Sequence, residues 1–179
     1  MTSRTRVNQV SSNALLRPLE ERDFPRVADL ARTIWLEHYT TIITKEQIEY
    51  MLDGRFAPAN LHGYLSRTKR WMDVLEIDGG LVGYCSYALT GTPGEMKLEQ
   101  LYLLPRLHGQ GLGRRMLEHV ERRAVEQDCR VLMLQVNKRN EKAIRVYRGA
   151  GYGVREEVVV DIGSGFVMDD YIMEKRLTG

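Results

Sequence analysis

The sequence predicts a mixed α/β fold, with a largely antiparallel central sheet of about six to seven strands flanked by about four helices. Three observations carry this. First, β-rich runs meet at short glycine turns, as at Asp78-Gly79-Gly80 inside WMDVLEIDGGLVGYCSYALTG, and such a hairpin is an antiparallel pair. Second, intervening stretches repeat their apolar residues every three or four positions, the period of an amphipathic helix. Third, RVLMLQV is apolar almost throughout, as expected of a strand covered on both faces.

The elements follow in order. Met1 to Asn13 is polar, reads as a loose tail, and lacks the apolar core of a signal peptide. NALLRPL is a short strand ending near Pro18. The segment EERDFPRVADLARTIWLEHYTTII places Phe24, Val27, Leu30, Ala31, Ile34 and Trp35 at helical spacing. A second helix begins at Thr44, because Gln47 three residues on completes a capping-box pattern. PANLHGYLSRTKR fits either a loop or a further helix.

After Arg70 the chain turns to strands. The hairpin at Asp78-Gly79-Gly80 is followed by MKLEQLYLL, which alternates at Met96 and Leu98 before becoming more continuously apolar. Leu112 to Gln127 is helical, with Leu112, Met116, Val120 and Ala124 four apart. NEKAIRVYRGAG is a short helix that Gly151 is placed to end. YGVREEVVVDI and FVMDDYIMEKRL are two strands around Gly163-Ser164-Gly165. With no repeat or linker, residues 14–179 read as one domain behind a tail of residues 1–13.

At 179 residues the chain is long enough to bury a core without disulfides or metals. A formal charge of +2 argues against nucleic acid as a partner. No apolar run approaches the ~18 residues a membrane span needs, so no membrane partner is expected. Cys85 and Cys129 are far apart, lack metal-like spacing, and read as reduced thiols, which fits a cytoplasmic location. No metal site is expected.

The segment LYLLPRLHGQGLGRRML concentrates Gly109, Gly111 and Gly113 between a strand-like run and a helix. Glycines there let backbone N–H groups turn toward an anion, and the helix N-terminus adds positive potential. Arg114 and Arg115 in the first turn oppose the helix dipole, a local cost that a bound polyanion relieves. No lysine follows as in a nucleoside-triphosphate loop, and the third glycine comes one residue early for a dinucleotide loop. The plain alternative is a tight strand–helix junction with no ligand.

From Leu98 to Tyr152 the chain resembles the GNAT superfamily of acetyl-CoA-dependent N-acetyltransferases. His108-Gly109-Gln110-Gly111-Leu112-Gly113 resembles its [Gln/Arg]-x-x-Gly-x-[Gly/Ala] signature, with His108 in place of the usual Gln or Arg. NEKAIRVYRGAGY resembles its N-x-x-A-x-x-x-Y-x-x-x-G-[FY] block, and LLRPLEERDFPRVADL the usual start of the fold. The resemblance implies that His108, Gly109, Gln110, Gly111, Leu112, Gly113 and Arg114 hold the pyrophosphate of acetyl-CoA, a co-substrate used without metal. It implies that Leu101, Tyr102 and Leu103 offer backbone groups to the pantetheine arm, that Asn140 contacts the cofactor, and that Tyr147 donates to the sulfur.

A tyrosine titrates near about 10 and a thiol near about 8.5, so full proton transfer to the thiolate is uphill by roughly 2 kcal/mol; a hydrogen bond serves as well. For the base, Gln135 occupies a position where some members carry a glutamate. Glu99 is the candidate, on the same side of an ideal strand as Leu101, with Glu95 a weaker one and a water relay also open. The resemblance places the acceptor between the first helices and the last strands. There Trp35, His38 and Tyr39, with Asp169, Asp170 and Tyr171, would suit a cationic amine, although packing and solvation explain them too. The acceptor is a small-molecule amine or a protein amine, and the resemblance allows a homodimer. No sequence signature of a covalent acyl-enzyme accompanies the cysteines. The rival reading is a CoA-binding sensor without turnover, against which stand both Asn140 and Tyr147.

Overall fold

The computed structural model describes residues 13–178; the tail expected over residues 1–13 lies outside them except for Asn13. The strands are β1 (Ala14–Pro18), β2 (Arg70–Ile77), β3 (Gly80–Leu89), β4 (Glu95–Leu103), β5 (Val131–Asn137), β6 (Gly153–Gly163) and β7 (Phe166–Arg176). The helices are α1 (Phe24–His38), α2 (Lys45–Leu52), α3 (Pro58–Leu65), α4 (Leu112–Glu126) and α5 (Glu141–Gly149). The strands form one seven-stranded sheet in the order β1-β2-β3-β4-β5-β7-β6. β1 with β2, β5 with β7 and β6 with β7 are antiparallel, whereas β4 and β5 are parallel. This is the mixed, mostly antiparallel α/β sheet expected.

Local rules account for most element ends. Asp78 and Gly79 both take positive φ, 51° and 77°, the requirement of the two-residue turn that joins twisted strands. The Thr44 hydroxyl accepts from the Gln47 amide at 3.1 Å and so starts α2. The segment that fitted loop or helix is helix α3, which begins with Pro58 in its first turn. Proline is at home there because its missing N–H would have had no helical partner. Beyond α5, the Gly151 amide donates to the Arg148 carbonyl at 3.0 Å.

The described residues divide into two compact units, one of residues 13–87 and 100–119 and one of residues 88–99 and 120–178. In the first, Val27, Ala31, Ile34 and Trp35 of α1, Ile48 of α2 and Leu61 of α3 are buried, as are Val74 and Leu75 of β2. The α1 residues among them occupy the face that the sequence periodicity marks. β3 comes so close to β4 that a Cβ on Gly83 would stand 2.8 Å from the Tyr102 carbonyl oxygen.

The first unit also holds a buried carboxylate. Asp73 is 1% exposed and accepts from the Tyr87 hydroxyl at 2.5 Å, His119 Nε2 at 2.8 Å and Arg67 Nη1 at 3.1 Å. Burial alone would raise its pKa, but the hydrogen bonds from His119 and Tyr87 and the Arg67 charge outweigh that and hold it below the usual value.

In the second unit, Leu132, Leu134 and Val136 of β5 are buried together with Met96 and Leu98 of β4 and Met173 of β7. Glu121 accepts from the Tyr152 hydroxyl at 3.1 Å and from Lys175 Nζ at 2.8 Å. Arg155 bridges Glu95 at 2.8 Å and Glu174 at 3.3 Å.

A carboxyl group whose pKa is depressed on folding stabilises above its unfolded pKa, about 3.9, and loses that contribution as pH falls through its folded value. Asp73→Asn is therefore expected to cost about 3–5 kcal/mol at pH 7, the range for breaking a buried charged pair. The deficit should shrink below about pH 4. Urea unfolding at pH 7 and pH 3 checks this, and a deficit independent of pH would contradict it.

Candidate functional site

Within the first unit, β4 ends at Leu103, Pro105–Leu107 forms a single 3-10 turn, and α4 starts at Leu112. Gly109 and Gly111 between them have φ of +77° and +80°. Left-handed residues set close together in this way turn backbone amides toward one concavity, a nest for an anion. The first amides of α4 lack helical partners by construction and add to it. A Cβ at Gly109, Gly111 or Gly113 would meet nothing within 4 Å. At Gly109 and Gly111 the backbone angle explains the glycine. Gly113, with ordinary helical φ, has neither an angle nor a neighbour to explain it.

His108, the departure from the signature, turns inward. Its Nε2 lies 3.0 Å from the Leu103 carbonyl oxygen, so the ring ties the loop to the last residue of β4. Gln110 Nε2 donates to the Arg106 carbonyl at 3.3 Å. Arg114 Nε donates to Glu118 at 2.8 Å on an exposed surface. Such an exposed pair is weak, so it leaves the guanidinium available to a stronger anion.

Around Trp35 lies an aromatic cluster that the sequence reading saw only in part. Trp35 Nε1 donates to the Tyr84 hydroxyl at 3.2 Å, and the Tyr39 and Tyr102 hydroxyls are 3.0 Å apart. Arg55 sits over the Trp35 ring, 5.6 Å from its centroid, and Phe56 meets Tyr84 edge-on. Trp35 is a core residue, whereas Tyr39 and Tyr102 are half-buried. His38 packs edge-on against Tyr39. Tyr84, Phe56 and Arg55 were not singled out from the sequence; β-strand periodicity marks Tyr84 as buried but not as a hydrogen-bond partner.

In the second unit, Asn140 caps α5 by accepting from the Ala143 amide at 3.2 Å and is buried. Tyr147, half-buried on the same helix, has its ring 5.8 Å from that of Tyr152. Burial and Glu121 raise the Tyr152 hydroxyl above its ordinary pKa. Glu99 is half-buried on the face of β4 that also carries Lys97. Lys97 Nζ donates to Gln135 Oε1. Glu95, the weaker base candidate, is engaged by Arg155 and by the Thr90 hydroxyl.

Of the acidic pair on β7, Asp169 is held by Lys138 at 2.6 Å, which also sits over Tyr171. Asp170 is 7% exposed, and its Oδ1 has no hydrogen-bond partner. Cys85 is fully buried, and burial together with the Asp73 charge pushes its thiol up; burial likewise raises Cys129. Neither thiol is a ready nucleophile at neutral pH. Among the described residues no three His, Cys, Asp or Glu side chains are grouped to hold a metal. Among them, too, no helix is long and apolar enough to cross a membrane.

Residues 24–152 match the Acetyltransferase (GNAT) family. The chain is 27% identical over 135 residues to an uncharacterised N-acetyltransferase of Mycobacterium tuberculosis, covering 75% of this chain and 85% of the relative. It is 23% identical over 158 residues to a spermidine N(1)-acetyltransferase of Thermoplasma acidophilum, covering 86% and 94%. The fold superposes on the crystal structure of the PaiA N-acetyltransferase of the same organism in complex with coenzyme A. The TM-score is 0.77 at 21% identity, over 91% of this chain and 98% of that one.

His108→Ala is expected to cost about 1 kcal/mol, the net worth of one hydrogen bond, and to speed amide hydrogen exchange in residues 104–111. Exchange confined to other segments, with this loop unaffected, would contradict the bracing role.

Proposed function

The chain belongs to the acetyltransferase (GNAT) family, and from that membership we propose that its glycine loop holds the pyrophosphate of acetyl-CoA while an amine attacks the thioester directly. It is an acyl-CoA-dependent N-acetyltransferase. The observation that carries the cofactor assignment is Gly113: a bare helical position with open space above it, next to two left-handed glycines and two arginines. A ligand lying against the backbone gives that missing side chain a reason.

In this reading the amides around Gly109, Gln110, Gly111, Leu112 and Gly113 face the pyrophosphate, and Arg114 approaches from the first turn of α4. His108 acts indirectly, by holding the loop to β4. Leu101 and Tyr102 line the pantetheine arm with backbone groups. Leu103 contributes less, because His108 already engages its carbonyl. Asn140 supports the cofactor site by starting α5, the helix that carries Tyr147.

The amine nitrogen bonds to the thioester carbon, the C–S bond breaks, and the departing thiolate takes a hydrogen bond from the Tyr147 hydroxyl. Glu99 receives the proton that the amine loses. A metal has no assigned task in these steps. The acceptor is a small-molecule amine or a protein amine. The protein works in the cytoplasm, without nucleic acid or membrane partners, as a monomer or homodimer.

Tyr147→Phe is expected to keep the fold and acetyl-CoA affinity while lowering kcat about 10- to 100-fold, the worth of one hydrogen bond to a charged group. Free-thiol release from acetyl-CoA with a panel of amines, at saturating substrate, measures it; an unchanged kcat removes the role. Calorimetric binding of coenzyme A without release on any amine would instead identify a sensor.

A further inference from the structure

Asp170 is the one acidic residue of the β7 pair that the rest of the second unit leaves unused. Asp169 and Glu157 both hold Lys138, at 2.6 and 2.9 Å. Glu95 and Glu174 hold Arg155, and Glu121 holds Lys175. Asp170, only 7% exposed, keeps an Oδ1 with no donor. Burying an acceptor without a donor is costly, and the fold tolerates such a group where a ligand supplies the donor.

The strand registers say where this carboxylate stands. Asp170 is opposite Asn137, the last residue of β5, and Gln135 is opposite Ile172. Lys97 is opposite Met133 in the parallel pair. Residues directly opposite each other, and residues two apart on one strand, share a face. Lys97, Glu99, Gln135, Asn137 and Asp170 therefore occupy one face of three adjacent strands. Asp170 lies at the end of β5 from which the chain leaves for Asn140 and the helix of Tyr147. On the same face Lys97 donates to Gln135, and Glu95 and Glu174 are both held by Arg155, so that Asp170 Oδ1 is the buried carboxylate oxygen there without a donor.

We propose that Asp170 is the acceptor-docking residue of the transferase: its Oδ1 takes a hydrogen bond from the N–H of a primary ammonium substrate. The assignment rests on the acetyltransferase reading above and adds to it the charge and the donor that the acceptor must bring. It divides the acidic work of the face. Asp170 receives the ammonium, and Glu99 takes the proton before attack. A substrate whose amine is replaced by a quaternary nitrogen has no N–H for Oδ1. Burial and the Asp169 charge raise the Asp170 pKa, with Lys97 and Lys138 opposing; of the groups around it, Glu157 on β6 is neutralised by Lys138. An ammonium docked on Oδ1 adds a further downward pull.

Carbon-13 NMR of the Asp170 carboxyl in the full-length protein, with coenzyme A bound, tests this without turnover. Ethylammonium chloride is expected to lower its titration midpoint by roughly half a pH unit or more, and tetramethylammonium chloride at equal concentration to leave it in place. Equal shifts with both cations, or none with either, would overturn the proposal. In steady-state kinetics on an amine that the enzyme turns over, Asp170→Asn is expected to raise the amine KM about tenfold and leave the acetyl-CoA KM within about twofold. An unchanged amine KM also overturns it. Should the variant fail to fold, the wild-type titration still decides. Should the wild-type protein release no thiol with any amine, it is the acetyltransferase reading that fails, and the midpoint still answers for Asp170.

Discussion

The left-handed backbone at Gly109 and Gly111 is the constraint on which the functional half of the first unit depends. A chain leaving β4 and entering α4 within a few residues has to reverse its amides, and two residues with positive φ do this at low steric cost. Backbone reversed in this way beside a helix N-terminus is the kind of geometry that offers amides to an anion. The surrounding interactions keep that backbone in place. His108 ties the loop to Leu103, Gln110 ties it to Arg106, and Leu104 donates to the Val82 carbonyl at 2.9 Å. Preorganised donors of this kind need no rearrangement when a polyanion arrives.

The second unit shows how a charged surface becomes selective by exhaustion. Several of its bases and acids are matched: Arg155 between two glutamates, Lys175 with Glu121, Lys138 between Glu157 and Asp169. Individually such half-exposed pairs stabilise little. Collectively they remove competitors, so that the one buried carboxylate without a donor stands out electrostatically. Gln135 fits the same logic. Its amide oxygen receives Lys97, so that this ammonium is engaged by a neutral partner.

Much of this was legible in the sequence, for physical reasons that differ by element. Apolar periodicity gave α1 and α4 because one face of each is buried, and turn chemistry gave the β2–β3 hairpin because Asp78-Gly79 meets a φ requirement. The left-handed turns of the glycine loop were legible because glycine spacing reports backbone angles directly. α3 was not, since its apolar pattern is weak and Pro58 suits a loop as well as a first helical turn. Hydrogen-bond partners were the larger gap. Asn before a helical run is a local cap signal, yet nothing local shows which way the His108 ring turns or separates Asp169 from Asp170, because those depend on the folded position of the neighbouring strand and on which oxygen is left over. Likewise Tyr84 and Arg55 join Trp35 only through tertiary packing.

The carboxylate of Asp73 has a further consequence for how this protein tolerates change. Three donors from three places, Tyr87 on β3, His119 on α4 and Arg67 before β2, converge on a single acceptor. Such a hub is lopsided. Removing one donor leaves two others to shield the charge, whereas no donor can substitute for the acceptor. Mutational drift should therefore collect on the spokes and spare the centre, and a lost spoke should be recoverable by a new donor from any of the other directions. The cluster acts as a keystone whose failure modes are graded on three sides and abrupt on one.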